Sequence, residues 1–424
     1  MEVDEAHGLY ARRWLVLIAY MVIGALTQLM WLTYAPITSQ TQHLMGVGEF
    51  KVVLLAMMFP LLFVPLSIPV GIIIDRKGFR FAVMVGAILT AGFSFLRLAA
   101  GNYTLVLIGM IGISIGQPFV LNAVTKMVAT WFPAEESALA TGLGALSQFV
   151  GIMAAQAITP PLLNALGGTL SSLRSIVLIY SLVAAAGAVF FALFGKARPP
   201  KPPKRAEHDV AGAEVSVSWR GVKTVLALRN FRIFCLIVFV GNGSFVGLLQ
   251  LLEKILKPKG ISTTTAGSVG AVIVVAGVIG CVVFPAISDK LRRRKPFPVI
   301  ATLVTAPVLF LMGALHGTGA MFLLGAILGL FLLGAFPIVL AFSEETTGAH
   351  LTGTATSVLL LLGNGGGVVM TVIMEAIKGS TGGKQGSFFW AMAFLAASFA
   401  VGAVVAFRLR ENPSFAGSAA ERAE

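Results

Sequence analysis

The chain has 424 residues, of which 57% are apolar and only 12% charged, and its mean hydropathy is +0.90. Soluble domains carry about 25% charged residues. This composition leaves too little polar surface to coat a water-soluble globule, and it excludes a soluble enzyme, a disordered tail protein and a secreted disulfide scaffold. The net charge of +13 comes from short basic clusters set between long apolar runs, so nucleic acid is not an expected partner. The solvent for most of the chain is lipid.

A helix needs about 20 apolar residues to cross the hydrocarbon core. Runs of that kind fall at 13–40, 49–74, 80–98, 103–131, 137–166 and 171–196, and again at 231–258, 263–290, 297–316, 319–344, 350–379 and 385–409. Arg12-Arg13 before the first run mimics a signal peptide. The run is longer than the usual ~7–15-residue signal core, however, and many more follow, so it reads as a retained first span. Lys196 to Arg229 is the longest polar stretch and contains Pro199-Pro200 and Pro202-Pro203. It reads as a linker whose end, Trp219 to Leu228, forms a short interfacial helix. The expected fold class is all-α integral membrane, with twelve transmembrane helices in two pseudo-symmetric six-helix bundles. Residues 1–196 form the first bundle, 197–230 a cytoplasmic linker, and 231–424 the second bundle with a short tail.

The two sets of spans look like copies. Gly71-Ile-Ile-Ile-Asp75-Arg76-Lys77-Gly78-Phe79-Arg80 follows span 2, and Pro285-Ala-Ile-Ser-Asp289-Lys290-Leu291-Arg292-Arg293-Arg294 follows span 8. Asp75 and Asp289 lie 214 residues apart, about half the chain. A parallel six-plus-six repeat is an architecture of membrane transporters. With the N-terminus inside, most of the 31 lysines and arginines fall in cytoplasmic segments, as the positive-inside rule requires. Both termini are therefore expected in the cytoplasm, in a multi-pass protein of the plasma membrane.

The pattern Gly71-x3-Asp75-Arg76-x-Gly78-x-Arg80 resembles the signature loop of the major facilitator superfamily, and its degenerate second copy stands between spans 8 and 9. The resemblance covers Arg12 to Arg410 and implies transport by alternating access, with two halves rocking about a central cavity. It also implies a conformational latch built from Gly71, Asp75, Arg76, Gly78, Arg80 and Asp289. Asp75 ends a helix whose dipole favours cations there, so it should seek a partner, by family analogy on the other half. Gly78 permits the tight turn. The alternative for Arg76, Lys77 and Arg80 is that they only set topology.

By the same resemblance the cavity is lined mainly by spans 1, 4, 7 and 10, so polar and aromatic residues there are candidates. Thr27, Gln28, Trp31, Tyr34 and Thr38 form one stripe on span 1 at steps of three or four. Span 4 offers Ser114, Gln117 and Asn122; span 7 offers Asn242, Ser244 and Phe245; span 11 offers Asn364. Trp31 and Phe245 are one repeat offset apart, and facing one another they would form an aromatic pair suited to a cation. The alternative for Trp31 is an anchor at the outer interface or packing between helices, which the polar stripe around it disfavours.

Other chemistries have little to stand on. The acidic residues all fall in termini, loops or span ends, Glu253 and Glu375 among them, so proton coupling through a central carboxylate is not expected. The histidines (His7, His43, His208, His316, His350) form no ligand cluster, so neither a metal nor a cofactor is expected. Cys235 and Cys281 lie in apolar runs and read as inert packing residues. Arg97, near the outer end of span 3, and Lys126, near the cytoplasmic end of span 4, can snorkel to the interface. Lys126 facing the cavity would instead make an anion site.

Several segments are similar to the FLVCR-type branch of the superfamily. They are Trp31-Leu-Thr-Tyr34-Ala-Pro-Ile-Thr38, Gln117-Pro-Phe-Val-Leu121, Trp131-Phe132 with Glu135-Glu136, Pro160-Pro161, and Gly353-Thr354. That branch transports choline, ethanolamine and related amines, with haem export also attributed to it. Its cation site uses a span 1 tryptophan and a span 4 glutamine, which match Trp31 and Gln117. Its span 7 tyrosine falls on Val246 and its span 11 glutamine on Asn364, so both positions depart from the pattern. The expectation is a monomeric carrier in the lipid bilayer, binding a small amine such as choline through Trp31, Tyr34, Gln28, Gln117, Phe245 and Asn364. An organic-anion or multidrug transporter, and a non-transporting receptor or sensor, are the alternatives.

Overall fold

The computed structural model describes residues 3–4, 9–10, 12–199, 219–348, 351–380 and 388–411. Most of the linker, with Pro200 and Pro202-Pro203, lies outside them, as do His7, His208, His350 and the side chain of Glu135. Twelve helices are long and apolar enough to cross a membrane. The first six are Arg12–Met45, Glu49–Lys77, Phe79–Leu98, Tyr103–Trp131, Leu139–Ala165 and Leu170–Phe194. The second six are Arg229–Lys259, Thr263–Leu291, Pro296–Ala314, Thr318–Thr347, Thr352–Lys378 and Phe389–Ala406. Each apolar run of the sequence falls on one of them. One feature the hydropathy did not anticipate is a two-residue antiparallel ladder, Val3–Asp4 with Leu9–Tyr10, before span 1.

The chain divides into two compact units, Met1–Glu214 and Val215–Glu424. In the first, span 1 lies against spans 4, 5 and 6, span 2 against span 4, and span 3 against spans 4 and 6. In the second, span 7 lies against spans 10, 11 and 12, span 8 against span 10, and span 9 against spans 10 and 12. The neighbour pattern of one unit is thus repeated in the other. Membrane helices lack a hydrophobic drive towards each other and associate where small residues let backbones approach. Gly151 of span 5 accordingly lies on the Ala25 carbonyl of span 1, and Gly243 of span 7 on the backbone of Gly366 in span 11.

Two spans are interrupted, the first for a reason visible in the sequence. Proline has no N–H, and its ring clashes with the carbonyl four residues earlier. Pro36 therefore ends the first helix of span 1 at Trp31; a turn and a short 3₁₀ segment (Ala35–Ile37) follow before the helix resumes at Thr38–Met45. In span 4 the helix containing Pro118 stops at Leu121 and resumes at Val124–Trp131. Trp219–Ala227 is helical, as expected. It is not purely interfacial, because Val225 is fully buried in the second unit's core beside Phe231 and Phe234.

Candidate functional site

The polar stripe of span 1 is buried, and it meets span 4 at one point. Gln28 Nε2 donates to Gln117 Oε1 at 2.8 Å, and Gln117 Nε2 donates to the Thr27 carbonyl at 2.7 Å. Both ends of the Gln117 amide are thereby used, on a side chain with no exposed surface. Thr27 and Thr38 turn their hydroxyls back onto carbonyls of span 1. Asn122 donates to Ser67 of span 2, and Ser114 is buried without a hydrogen-bond partner.

Trp31 lies one turn beyond Gln28, 3% exposed. Its indole N–H donates to the Ala56 carbonyl of span 2 at 2.6 Å, and its ring meets Phe59 at 4.7 Å between centroids. Phe59 in turn meets Phe63 at 5.5 Å. Trp31 thus contacts span 2 through both its N–H and its ring, and Phe59 joins it as a neighbouring aromatic group. The i, i+4 spacing of Phe59 and Phe63 was the available signal, hidden in a helix that is apolar on every side.

Tyr34 is also buried. Its hydroxyl has no partner, and the Arg97 guanidinium stands 5.8 Å from its ring centroid. Arg97 does not snorkel: it turns inward from the end of span 3 and has no exposed surface. The Lys126 ammonium, one-third exposed near the cytoplasmic end of span 4, is 3.7 Å from Asp75. Asp75 thus has a partner inside its own bundle, on span 4, whereas family analogy looked to the other half.

Around that pair the signature loop takes the form its residues require. Gly78 sits at φ +82, which a side chain would strain, and its N–H donates to the Ile74 carbonyl. Nothing lies near the position a Cβ would take on Gly71, so the first unit sets no steric demand for glycine there. Arg80 donates to the Ala192 carbonyl of span 6 at 3.3 Å. Arg76 is exposed, and Lys77 lies over the Phe81 ring. Arg13 and Glu136 form a two-pronged pair at 2.9 and 3.0 Å, tying the start of span 1 to the start of span 5.

In the second copy Asp289 pairs with Arg294 at 2.5 Å, and Arg294 pairs with Glu345 of span 10 at 3.0 Å. Arg292, one repeat after Gly78, adopts φ +51, the single positive φ outside glycine among the described residues. The second copy therefore turns differently: Arg292 is in the left-handed helical region (ψ 40), whereas Gly78 is extended in ψ (164).

The candidates of the second unit are placed separately. Phe245 is buried. Val246 lies on the bare face of Gly367, at 2.9 Å from where a Cβ would stand. The Asn364 side chain donates to the Leu360 carbonyl of its own helix. Glu253 and Glu375 do lie near span ends, but they are not solvated. Glu253 is buried near Lys257 and the Thr263 hydroxyl, and Glu375 accepts from buried Lys254 at 2.6 Å. Among the described residues no group of histidine, cysteine, aspartate or glutamate could hold a metal ion.

The profile of the Major Facilitator Superfamily matches residues 15–371. The chain belongs to this superfamily. Its members are transporters, so a small-molecule substrate and a membrane-embedded, multi-pass chain follow from membership. The zebrafish (Danio rerio) choline/ethanolamine transporter flvcr2b is 24% identical over 396 residues, covering 90% of this chain and 81% of that protein. Solute carrier family 49 member A3 from the same fish is 28% identical over 368 residues, covering 84% and 76%. Among solved structures, a bacterial homologue of the human lysosomal transporter Spinster has a TM-score of 0.75 at 17% identity, covering 94% of this chain and 97% of that one. At that identity the likeness speaks for the fold.

Proposed function

We propose that this superfamily member is a secondary transporter, not an enzyme, and that it moves a small amine or quaternary ammonium compound such as choline by alternating access. The observation that carries the reading is the Gln28–Gln117 contact, one helical turn from Trp31, with Phe59 against the indole and Phe63 against Phe59. An aromatic face attracts a cation by roughly 0.5–2 kcal/mol. No carboxylate belongs to the stripe, so binding should be of modest strength and the membrane potential a sufficient driving force for a cation. Similarity to flvcr2b, a choline/ethanolamine transporter by name, supports the same substrate class. We also propose a plasma-membrane location with both termini cytoplasmic, supported by the distribution of basic residues.

The test is thermal stabilisation of the purified protein by a panel of amines, carboxylates and drug-like molecules. A specific ligand at a hundredfold excess over its dissociation constant adds roughly 2.7 kcal/mol. Stabilisation by choline or ethanolamine that is lost in Trp31→Ala is expected. Stabilisation by carboxylates alone would contradict the amine reading and leave transport intact.

A further inference from the structure

We propose that Arg97 is a positioning residue that clamps the break in span 1 and so fixes how Trp31 is presented. Where Pro36 ends the helix, the last carbonyls lose the amide donors that a continued helix would supply. Thr33 Oγ1 takes over part of that role, donating to the carbonyls of Leu29 at 3.0 Å and Met30 at 3.1 Å. Arg97 completes it: Nη1 donates to the Met30 carbonyl at 3.2 Å and to Thr33 Oγ1 at 3.3 Å. The Met30 carbonyl belongs to the peptide group that carries Trp31, so the clamp acts one bond system away from the indole.

The charge suits this place. No carboxylate pairs with Arg97 among the described residues, and an isolated buried cation is expensive in a membrane. The broken helix supplies the compensation, because its C-terminal end carries a partial negative charge of about half an electron. The guanidinium also stands over the Tyr34 ring and near the sulfurs of Met30 and Met110. Its stem is admitted by Gly109 of span 4, where a Cβ would come within 2.9 Å of Arg97 Cγ. Spans 1, 3 and 4 are therefore built around one side chain, which occupies both the carbonyl end of the half-helix and a face of Tyr34.

The effect on binding rests on the amine reading, whereas the backbone clamp does not. The test is hydrogen exchange, read by mass spectrometry on the full-length detergent-purified protein, together with choline titration. In Arg97→Met, exchange across residues 29–38 should rise about tenfold, the equivalent of losing one hydrogen bond from a charged donor. Spans 7–12 should be unchanged and choline binding should weaken several-fold. Arg97→Lys, which keeps a cation at the Met30 carbonyl, should recover part of both. If Arg97→Met does not fold, Thr33→Val carries the test, with a smaller rise over the same residues. Unchanged exchange at 29–38, or an equal rise in every span, would overturn the clamp. A local rise in a protein whose wild type ignores choline would uphold the clamp and defeat the amine reading.

Discussion

The Gln28–Gln117 pair makes a prediction of its own at the residue scale. Both side chains are buried, and removing one partner strands the other, at a cost of about 1–3 kcal/mol for an unsatisfied buried group. Gln117→Leu should therefore destabilise the fold, while the double variant Gln28→Leu/Gln117→Leu recovers part of the loss. A thermal-unfolding double-mutant cycle measures this, and strict additivity would mean that the contact is not made. The inward placement of Gln28 and Gln117 was legible in the sequence, because a polar side chain in an apolar run marks the protein-facing side. That of Arg97 was not. Its position near a span end fitted snorkelling, and the carbonyls freed where the first helix of span 1 ends explain why it turns inward.

At the scale of elements, the two copies of the loop give paired tests. Gly78 holds φ +82 without strain, whereas Arg292 holds φ +51 with a side chain, at a cost of about 1–2 kcal/mol. Arg292→Gly should then raise thermal stability by about 0.5–1 kcal/mol, the difference left after glycine's greater entropy loss. A decrease would mean that the arginine side chain outweighs the strain. Asp75 and Lys126 have half-exposed to one-third-exposed side chains, so their pair adds at most ~1 kcal/mol to stability. Asp75→Asn and Lys126→Ala should each slow transport, leave substrate affinity nearly intact, and combine without adding. A large affinity loss in either variant would contradict a latch. The loop motif and the span boundaries were legible in the sequence because turn chemistry and hydropathy are local signals. The partner of Asp75 was not, because Lys126 lies on the segment of span 4 that resumes beyond its break, and no local signal in the sequence marks that break.

At the scale of the whole molecule, the internal repeat is expressed twice, in the motif spacing of 214 residues and in the neighbour pattern shared by the two units. Twelve spans and superfamily membership make transport the activity class, and the buried stripe of span 1 gives the substrate reading its residues. Uptake of radiolabelled choline into proteoliposomes carrying the purified protein tests that reading most directly. The account predicts saturable uptake, faster when the lumen is electrically negative, with Trp31→Ala raising KM while membrane insertion stays normal. Choline flux no greater than in empty liposomes at either polarity, alongside saturable uptake of a carboxylate, would contradict it.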